Sequence, residues 1–311
     1  MSSLAETGAK PAVPLTGYVF GATGAILFAS KGIIIKLAYA QGLDPETVLA
    51  LRMVFALPFY LVIGAIAIVR MRAHGEAMPS LSVVGRTVLV GALGYWFASY
   101  MDFIGLEYIS ASFERLILFT YPLFVVLLGA LFFRQPIRAR ALLAFAVAYS
   151  GLAIIFMQNF AASGNDTLRG VAFVAMSAIS FALYQLLAGG LLRSIGSALF
   201  TCIAMTSAAV ASLVQFALFR PIDGLFVSGH LLVLALMIAI GATVLPTFFL
   251  NAALKRISPS ANSMISTVSP VATMGLAFVF LGETVSLVEL VGSVLVMGGI
   301  GAFTFADARR R

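Results

Sequence analysis

Long apolar blocks, each about the length of a membrane-spanning helix, recur along almost the whole chain. A helix needs roughly 20 mainly apolar residues to cross a bilayer, because the hydrocarbon holds no water that could satisfy an open backbone. With 61% hydrophobic and only 10% charged residues, the 311-residue chain also has too little polar surface to cover a soluble globule. We therefore predict an all-α integral membrane protein with ten transmembrane helices, at residues 17–38, 47–69, 87–106, 112–133, 140–158, 169–191, 197–219, 230–252, 260–281 and 286–306.

The fourth block has a counterpart near the end of the chain. Residues 109–151 align without a gap on residues 257–299, with nine identities in 43 positions, and Pro122 falls on Pro270. The first block aligns in the same way on the sixth. We infer an internal duplication in which blocks one to five repeat as blocks six to ten.

The two copies are predicted to have opposite orientations in the membrane, because each contains an odd number of helices. If the amino terminus is cytoplasmic, the inner loops and tails hold thirteen lysines and arginines, whereas the outer loops hold only Arg169 and Arg220. The positive-inside rule then places both termini in the cytoplasm, and we expect a bacterial inner membrane. The net charge of +7 is thus explained by topology, so no nucleic-acid partner is expected. Inverted repeats around a central cavity are typical of secondary transporters.

The chain ends are short and polar. Residues 1–16 contain Pro11 and Pro14 but no apolar run, so we predict a disordered cytoplasmic tail rather than a signal peptide. The predicted organisation is a tail at 1–16, a first five-helix repeat at 17–160, a second, inverted five-helix repeat at 167–306 and a basic cytoplasmic tail at 307–311.

The first block carries small residues at every fourth position. Gly17, Gly21, Ala25 and Ala29 would lie on one face of a helix. Such a face lets a neighbouring membrane helix approach closely, so we predict tight packing along it.

Four basic residues lie inside predicted helices, where a charge is costly and usually has a function or a partner. Lys36 and Arg52 are near the outer ends of their helices, and we expect their long side chains to reach the membrane interface. Lys31 is deeper and either reaches the interface or faces the cavity. Arg115, with Asp102 and Glu114, forms a charged group near the outer side, which is either an interfacial ion-pair cluster or an outer gate.

Polar side chains recur on one face of the sixth and ninth predicted helices, at helical spacing. They either form hydrogen bonds between helices or line a cavity. Tyrosine and tryptophan in the third and fourth helices add flat surfaces with polar edges, which suit a small solute with an apolar or aromatic part. The candidate cavity residues are Lys31, Tyr95, Trp96, Ser99, Tyr121, Ser177, Ser180, Tyr184, Asn262, Ser266, Ser269 and Thr273.

The prolines shared by the two copies, Pro122 and Pro270, fall near the middle of the fourth and ninth helices. Proline removes a backbone donor and weakens the helix one turn earlier. The two residues either shape helix packing or serve as hinges in a transport cycle.

Residues for catalysis or metal binding are scarce. His74 and His230 fall in loops or at an edge, Cys202 has no partner cysteine, and no carboxylate pair is expected inside the membrane. We predict no enzyme activity, metal site or cofactor. The absence of an obvious midplane carboxylate favours facilitated or weakly coupled transport. The inverted repeat, without rings of charge, favours a carrier over a channel.

Two short motifs close the fourth and ninth helices, FFRQPI at 132–137 and FLGETV at 280–285. Together with the two five-helix repeats, they resemble the EamA family of the drug/metabolite transporter superfamily, over nearly the whole chain after residue 16. Glu283 fits the family's acidic residue at the end of the ninth helix, whereas Gln135 replaces it in the first copy.

The resemblance implies a basket-like fold with a central cavity between helices one, three, four, six, eight and nine. It also implies alternating-access export of small neutral or zwitterionic metabolites, with amino acids, including aromatic ones, as the leading class. Carriers of drugs or of sugar or nucleotide derivatives are the alternative. We expect a small-molecule substrate and the lipid bilayer as partners, and a monomer, with a homodimer as the alternative.

Overall fold

The fold is helical throughout the part of the chain that can be described. The computed structural model describes residues 15–134, 136–137, 139–227, 229–254, 256–257, 265 and 268–308. Within these ranges there is no β-strand, and nine helices are long and apolar enough to cross a membrane. A shorter apolar helix covers Val268–Leu281. The prediction of an all-α membrane protein is confirmed.

We number the helices α1 to α10 in chain order. They are α1 Leu15–Ala40, α2 Pro45–Ala73, α3 Leu81–Tyr108, α4 Ala111–Phe133, α5 Ala139–Ser163, α6 Asn165–Ile195, α7 Ser197–Phe219, α8 Gly229–Leu254, α9 Val268–Leu281 and α10 Leu287–Ala308.

Three predicted segments, the two tails and the start of the ninth span, lie wholly or partly outside the described residues. Leu15 and Thr16, predicted as part of the tail, already belong to α1, while residues 1–14 and 309–311 lie outside the described residues. Most of 258–267, where the ninth span was predicted to begin, also lies outside them.

Short polar side chains fix where several helices begin. The carboxylate of Asp44 accepts a hydrogen bond from the Thr47 N–H at 2.9 Å, and Pro45 occupies the first turn of α2. The Ser110 hydroxyl likewise accepts from the Phe113 N–H at the start of α4. Both are N-caps, which satisfy backbone donors that the helix itself leaves free.

Four of the helices are irregular near mid-length. α1 is interrupted at Ser30, and α4 is interrupted at Phe119 and Thr120. α3 and α8 each contain a π-helical segment, at Ala92–Phe97 and Met237–Val244. Such segments are uncommon and are often found at functional sites.

The helices pack in pairs, and the set of pairs is symmetric under exchange of the two predicted repeats. The most extensive contacts join α1 with α8, α3 with α6, α2 with α7 and α5 with α10. Exchanging each helix with the one five places along turns the α1–α8 pair into the α6–α3 pair and leaves the other two pairs unchanged.

Small residues permit the closest of these contacts. A Cβ atom at Gly17 would lie 2.7 Å from Ile257, and one at Gly24 would lie 3.1 Å from Leu250 on α8. The contact at Gly17 confirms the tight packing predicted there, whereas Gly24 is not one of the four predicted positions. Between α5 and α10, Gly151 and Gly292 meet so closely that a Cβ atom at Gly151 would lie 2.4 Å from the Gly292 carbonyl oxygen.

Substituting Gly292 by alanine is expected to destabilise the α5–α10 contact. The added Cβ atom would lie 2.5 Å from Ile155 Cγ1 and 2.8 Å from the Gly151 carbonyl oxygen. Overpacking of this kind costs about 1–3 kcal/mol. Thermal unfolding of the purified protein in detergent should show a lower melting temperature.

Gly298, on the same helix, supplies the matched control. A Cβ atom there meets no described atom within 4 Å, so Gly298→Ala should leave the melting temperature unchanged or raise it slightly. Equal melting temperatures for the two variants would contradict the predicted close contact.

Candidate functional site

Five ionisable side chains are buried together where α1, α2, α3 and α4 meet. They are Lys31, Arg52, Asp102, Glu114 and Arg115, and none of them is more than 5% exposed. Burying charges is expensive unless they are paired and hydrogen-bonded, and inside a membrane protein such groups usually serve a function. We call this group the charged network.

Lys31 and Asp102 form an ion pair at the centre of the charged network. The Lys31 ammonium donates to Asp102 Oδ2 at 2.6 Å, which joins α1 to α3. The ammonium also lies over the rings of Phe28 and Phe103, 5.6 and 5.8 Å from their centroids. Because Lys31 directly follows the interruption of α1 at Ser30, the broken helix presents its side chain to the interior.

Arg115 ties together three helices. Its Nη2 donates to the Phe28 carbonyl at 2.6 Å, and its Nε donates to the Thr273 hydroxyl on α9 at 3.2 Å. Thr273 in turn donates to the Ala29 carbonyl at 3.1 Å. Both carbonyls come just before the interruption of α1. The guanidinium is therefore held between α1, α4 and α9.

Glu114 is the only member of the charged network whose side-chain polar atoms all lack a partner among the described residues. It is wholly buried, and neither carboxyl oxygen has a hydrogen-bond partner. Its Oε2 lies 3.4 Å from where a Cβ atom at Gly32 would be, and its carboxyl group faces that of Asp102. The sequence analysis placed these two residues in one charged group near the outer side, and in the structure both are buried. The two residues come from the ends of different helices, and only the tertiary packing brings them together.

Arg52 is buried, although the sequence predicted that its side chain reaches the membrane interface. Its Nη2 donates to the Ser99 hydroxyl at 3.1 Å, and its guanidinium lies 5.2 Å from the centroid of the Phe103 ring. Its Nε has no partner, and it forms no ion pair with any described residue. Lys36 is half-buried. Arg52 is thus a cation with unused capacity to bind an anion.

Aromatic side chains lie in the middle of the bundle, along α3 and α6. The Tyr184 hydroxyl donates to the Tyr95 hydroxyl at 3.0 Å, and the two rings meet edge to face at 5.0 Å. Tyr184 fits because position 94 is glycine, where a Cβ atom would lie 2.3 Å from the tyrosine ring. The Trp96 indole donates to Gln215 Oε1 on α7 at 2.6 Å. The α3 residues in these contacts, at positions 94, 95 and 96, all belong to its π-helical segment.

The polar residues of α6 lie at the contact with neighbouring helices. Ser180 donates to the Leu93 carbonyl at 2.8 Å, and Ser177 is buried. Tyr121 meets Phe181 edge to face at 5.0 Å. In this conformation Ser180 acts as a helix-to-helix hydrogen-bond donor.

The ninth-helix candidates are only partly described. Thr273 contacts the charged network, since it accepts a hydrogen bond from Arg115 and donates one to the Ala29 carbonyl. Ser269 is buried, and its hydroxyl has no partner among the described residues. Asn262 and Ser266 lie outside the described residues.

A carboxylate at the end of α9 holds the start of α4. Glu283 accepts hydrogen bonds from the Ala111 N–H at 2.9 Å, the Ser112 N–H at 3.3 Å and the Ser112 hydroxyl at 2.8 Å. A negative charge at a helix amino terminus is favourable, because free N–H groups and the helix dipole both attract it. The contact joins the ends of α9 and α4 next to the charged network.

A second set of ionic contacts lies at the same end of the bundle, between α2 and α7. Arg220 lies 3.0 Å from Glu46 and 3.5 Å from Asp44, and Tyr100 donates to Glu46 at 2.8 Å. Burial raises the pKa of Asp44, but hydrogen bonds, led by that from the Thr47 N–H, and the Arg220 charge outweigh it, so the net pKa shift is downward. Asp44 is therefore ionised at neutral pH.

A small cavity of about 130 Å³ lies beside the Glu283 contact. Pockets for drug-sized ligands measure about 300–1,000 Å³, so this cavity does not accommodate such a solute. Its lining includes Ser110, Ser112, Leu116, Asn159, Glu283 and Glu289.

Known proteins similar to this chain are named as transporters. The sequence profile of the EamA-like transporter family matches residues 15–157 and again 168–305. An uncharacterized transporter, YcbK, from Bacillus subtilis is 28% identical, over 93% of this chain and 92% of its own length. An uncharacterized transporter from Clostridium kluyveri is 24% identical, over 91% of each chain.

One solved crystal structure shares the fold, with a TM-score of 0.61 at 20% identity, covering 95% of this chain and 98% of that chain. The apolar helices make this protein a multi-pass integral membrane protein, and the names of its relatives are those of transporters rather than enzymes. Because the family profile covers almost the whole chain, the chain belongs to the EamA-like transporter family.

Proposed function

We propose that this protein is an inner-membrane carrier that exports small neutral or zwitterionic metabolites by alternating access, with amino acids, including aromatic ones, as the leading class. The observation that carries the substrate class is Arg52, a buried guanidinium with a free Nε donor and no ion-pair partner among the described residues. A solute carboxylate satisfies such a group, because guanidinium and carboxylate form charge-assisted, bidentate hydrogen bonds.

The neighbours of Arg52 fit the rest of such a solute. Its hydrogen-bond partner Ser99 lies on α3, one turn from Tyr95 and Trp96. Aromatic rings offer apolar surface to a side chain and still carry polar edges. An aromatic or large aliphatic amino acid fits this arrangement, because its carboxylate can bind Arg52 while its apolar side chain packs against these rings.

Two repeats of opposite orientation would supply the alternating access. The double match of the family profile supports a division close to the predicted repeats, and the symmetric helix pairing supports it independently. The π-helical segments occur in α3 and α8, which occupy equivalent positions in the two repeats. With both termini in the cytoplasm, as the basic residues favour, the Glu283 and Arg220 contacts lie on the outer face and hold it closed.

Proteoliposome uptake tests the substrate class most directly. The panel should pair each amino acid with the corresponding amine, which lacks the carboxylate, and include an amphipathic drug, a sugar phosphate and a nucleotide sugar. We expect uptake of the amino acid and little uptake of its amine. Transport of a sugar phosphate or nucleotide sugar, with no transport of amino acids, would remove the proposal.

The prolines at 122 and 270 are proposed as hinges of the cycle. α4 is interrupted at Phe119 and Thr120, directly before Pro122, and the Thr120 hydroxyl donates to the Ile117 carbonyl at 2.6 Å. Pro270 lies in the first turn of the described part of α9. Helix interruptions of this kind can absorb backbone changes when two halves rock.

Pro122→Ala and Pro270→Ala are therefore expected to slow transport about tenfold, which corresponds to roughly 1.4 kcal/mol in a barrier. Folding should remain intact, and the two changes should shift the balance of inward and outward states in opposite directions. Initial uptake rates, together with accessibility of cysteines introduced into a Cys202→Ala background, measure both effects. Wild-type rates in both variants would show that the prolines only shape packing.

A further inference from the structure

We propose that Glu114 is a proton-binding site, protonated in the conformation described here and deprotonated when the α1–α4–α9 contact opens, so that transport is coupled to the proton gradient. The coupling rests on the proposed transport function, whereas the bound proton does not. The contacts within the charged network support the assignment of the proton to Glu114.

The first observation is an excess of buried acceptor atoms. Both carboxyl oxygens of Glu114 and Oδ1 of Asp102 lack any partner among the described residues. Ionised carboxylates only accept hydrogen bonds, so two of them facing each other cannot satisfy one another. A single proton on Glu114 changes this, because the Glu114 hydroxyl can donate to Asp102 Oδ1.

The second observation is that the nearby cations are engaged elsewhere. Lys31 donates to Oδ2 of Asp102, while Arg52 is bound to Ser99. Arg115 follows Glu114 in the helix, but consecutive helical residues do not face each other. Its guanidinium is held by α1 and α9.

The other charged groups at this end of the bundle do not supply a counter-ion for Glu114 either. Lys36 is half-buried and forms no ion pair within the described ranges. Glu283 is occupied by the amino terminus of α4, and Glu107 is exposed. No described cation therefore neutralises Glu114 by direct contact.

The cost of burying a negative charge decides which of the two carboxyl groups carries the proton. An isolated ionised carboxylate in an apolar interior costs so much that the group takes up a proton instead. Two adjacent carboxyl groups also resist being ionised together. Asp102 has the ammonium of Lys31 against it, so Asp102 keeps the negative charge and Glu114 keeps the proton.

The geometry of Arg115 explains how the proton would leave. Thr273 on α9 and the Phe28 carbonyl on α1 fix the guanidinium in place. If α1 and α9 both move away from α4 during the cycle, Arg115 loses both partners and water reaches the carboxyl group of Glu114. Ionised Glu114 is then stabilised, and its proton passes to the water that enters the opened site.

Infrared spectroscopy of the purified protein tests the bound proton without any substrate. At neutral pH the wild type should show the carbonyl stretch of a protonated, buried carboxylic acid. Glu114→Gln should lose that band, whereas Glu107→Gln, which alters an exposed carboxyl group, should retain it. Absence of the band from the wild type, or its survival in Glu114→Gln, would overturn the assignment.

Proteoliposomes test the coupling. A gradient of one pH unit can support about a tenfold substrate accumulation per exchanged proton. We expect gradient-driven accumulation by the wild type and its loss in Glu114→Gln, which should still exchange substrate between the two sides of the membrane. Equal accumulation by the wild type and Glu114→Gln would overturn the coupling.

The two experiments separate this inference from the proposed substrate class. Failure of every amino acid to be transported would contradict the proposed function, while the infrared band would still decide whether Glu114 holds a proton. Amino acid transport without any response to the gradient would uphold the function and overturn the coupling.

Discussion

Substitution of Arg52 by methionine is expected to abolish high-affinity transport of carboxylate-bearing solutes while leaving the protein at least as stable as before. Methionine fills a similar volume but removes the buried charge. Arg52 has no ion-pair partner among the described residues, so the folded protein loses little by the change and avoids the cost of burying a cation. The solute, however, loses its charged partner, a loss that typically costs about 2 kcal/mol or more, or roughly 30-fold in affinity.

The matched control is Arg52→Lys, which keeps the positive charge but not the planar fork. It should retain transport with a raised KM. Thermal unfolding of the three proteins and uptake kinetics with an amino acid and its amine separate stability from recognition. If Arg52→Met transported the amino acid with wild-type KM, the carboxylate would bind elsewhere.

The apolar blocks could be predicted from sequence because membrane thickness fixes the approximate length of a span. Their limits were less accurate, since α3 begins at Leu81, six residues before its predicted start. Small residues on one face of α1 were also sufficient to predict a close contact there, which Gly17 makes with Ile257. Both features are local, since they depend only on the order of residues within one helix.

The charged network could be predicted only in part, because it depends on how each helix is rotated about its axis. Lys31 and Asp102 are separated by 71 positions in the chain, and the interruption at Ser30 and the π-helical segment at Ala92–Phe97 lie between regular turns. A regular period of 3.6 residues does not anticipate the change of direction that such irregularities introduce.

Arg52 shows a second limit of sequence reasoning. Its distance from the end of α2 suggested that the side chain reaches the interface, but the ring of Phe103 and the Ser99 hydroxyl hold it inside. Depth along a helix does not say which way a side chain points. The signal available in the sequence was that its neighbours from Val48 to Met53 are all apolar, with no polar face on that turn. In the structure this whole run is buried.

Removing one partner of the Lys31–Asp102 pair is expected to be the most destabilising single change in the charged network. Asp102→Asn leaves the ammonium of Lys31 buried without its counterion, 2.6 Å from a group that no longer carries a charge. Breaking a buried ion pair in this way typically costs 3–5 kcal/mol. The expected result is a large drop in melting temperature in detergent, together with loss of transport.

The double variant Lys31→Met/Asp102→Leu distinguishes an unpaired charge from a loss of shape. It removes both charges and keeps apolar bulk at each position, and replacing a complete buried pair by apolar residues is often neutral or stabilising. We therefore expect the double variant to melt near the wild-type temperature. The double-mutant cycle completed by the single variants Lys31→Met and Asp102→Leu should give a coupling free energy of more than about 1 kcal/mol. Transport should stay impaired, because the protonated Glu114 would then lose the carboxylate that accepts its hydrogen bond. If Asp102→Asn and the double variant were equally unstable, packing around Phe28 and Phe103, and not charge pairing, would hold α1 against α3.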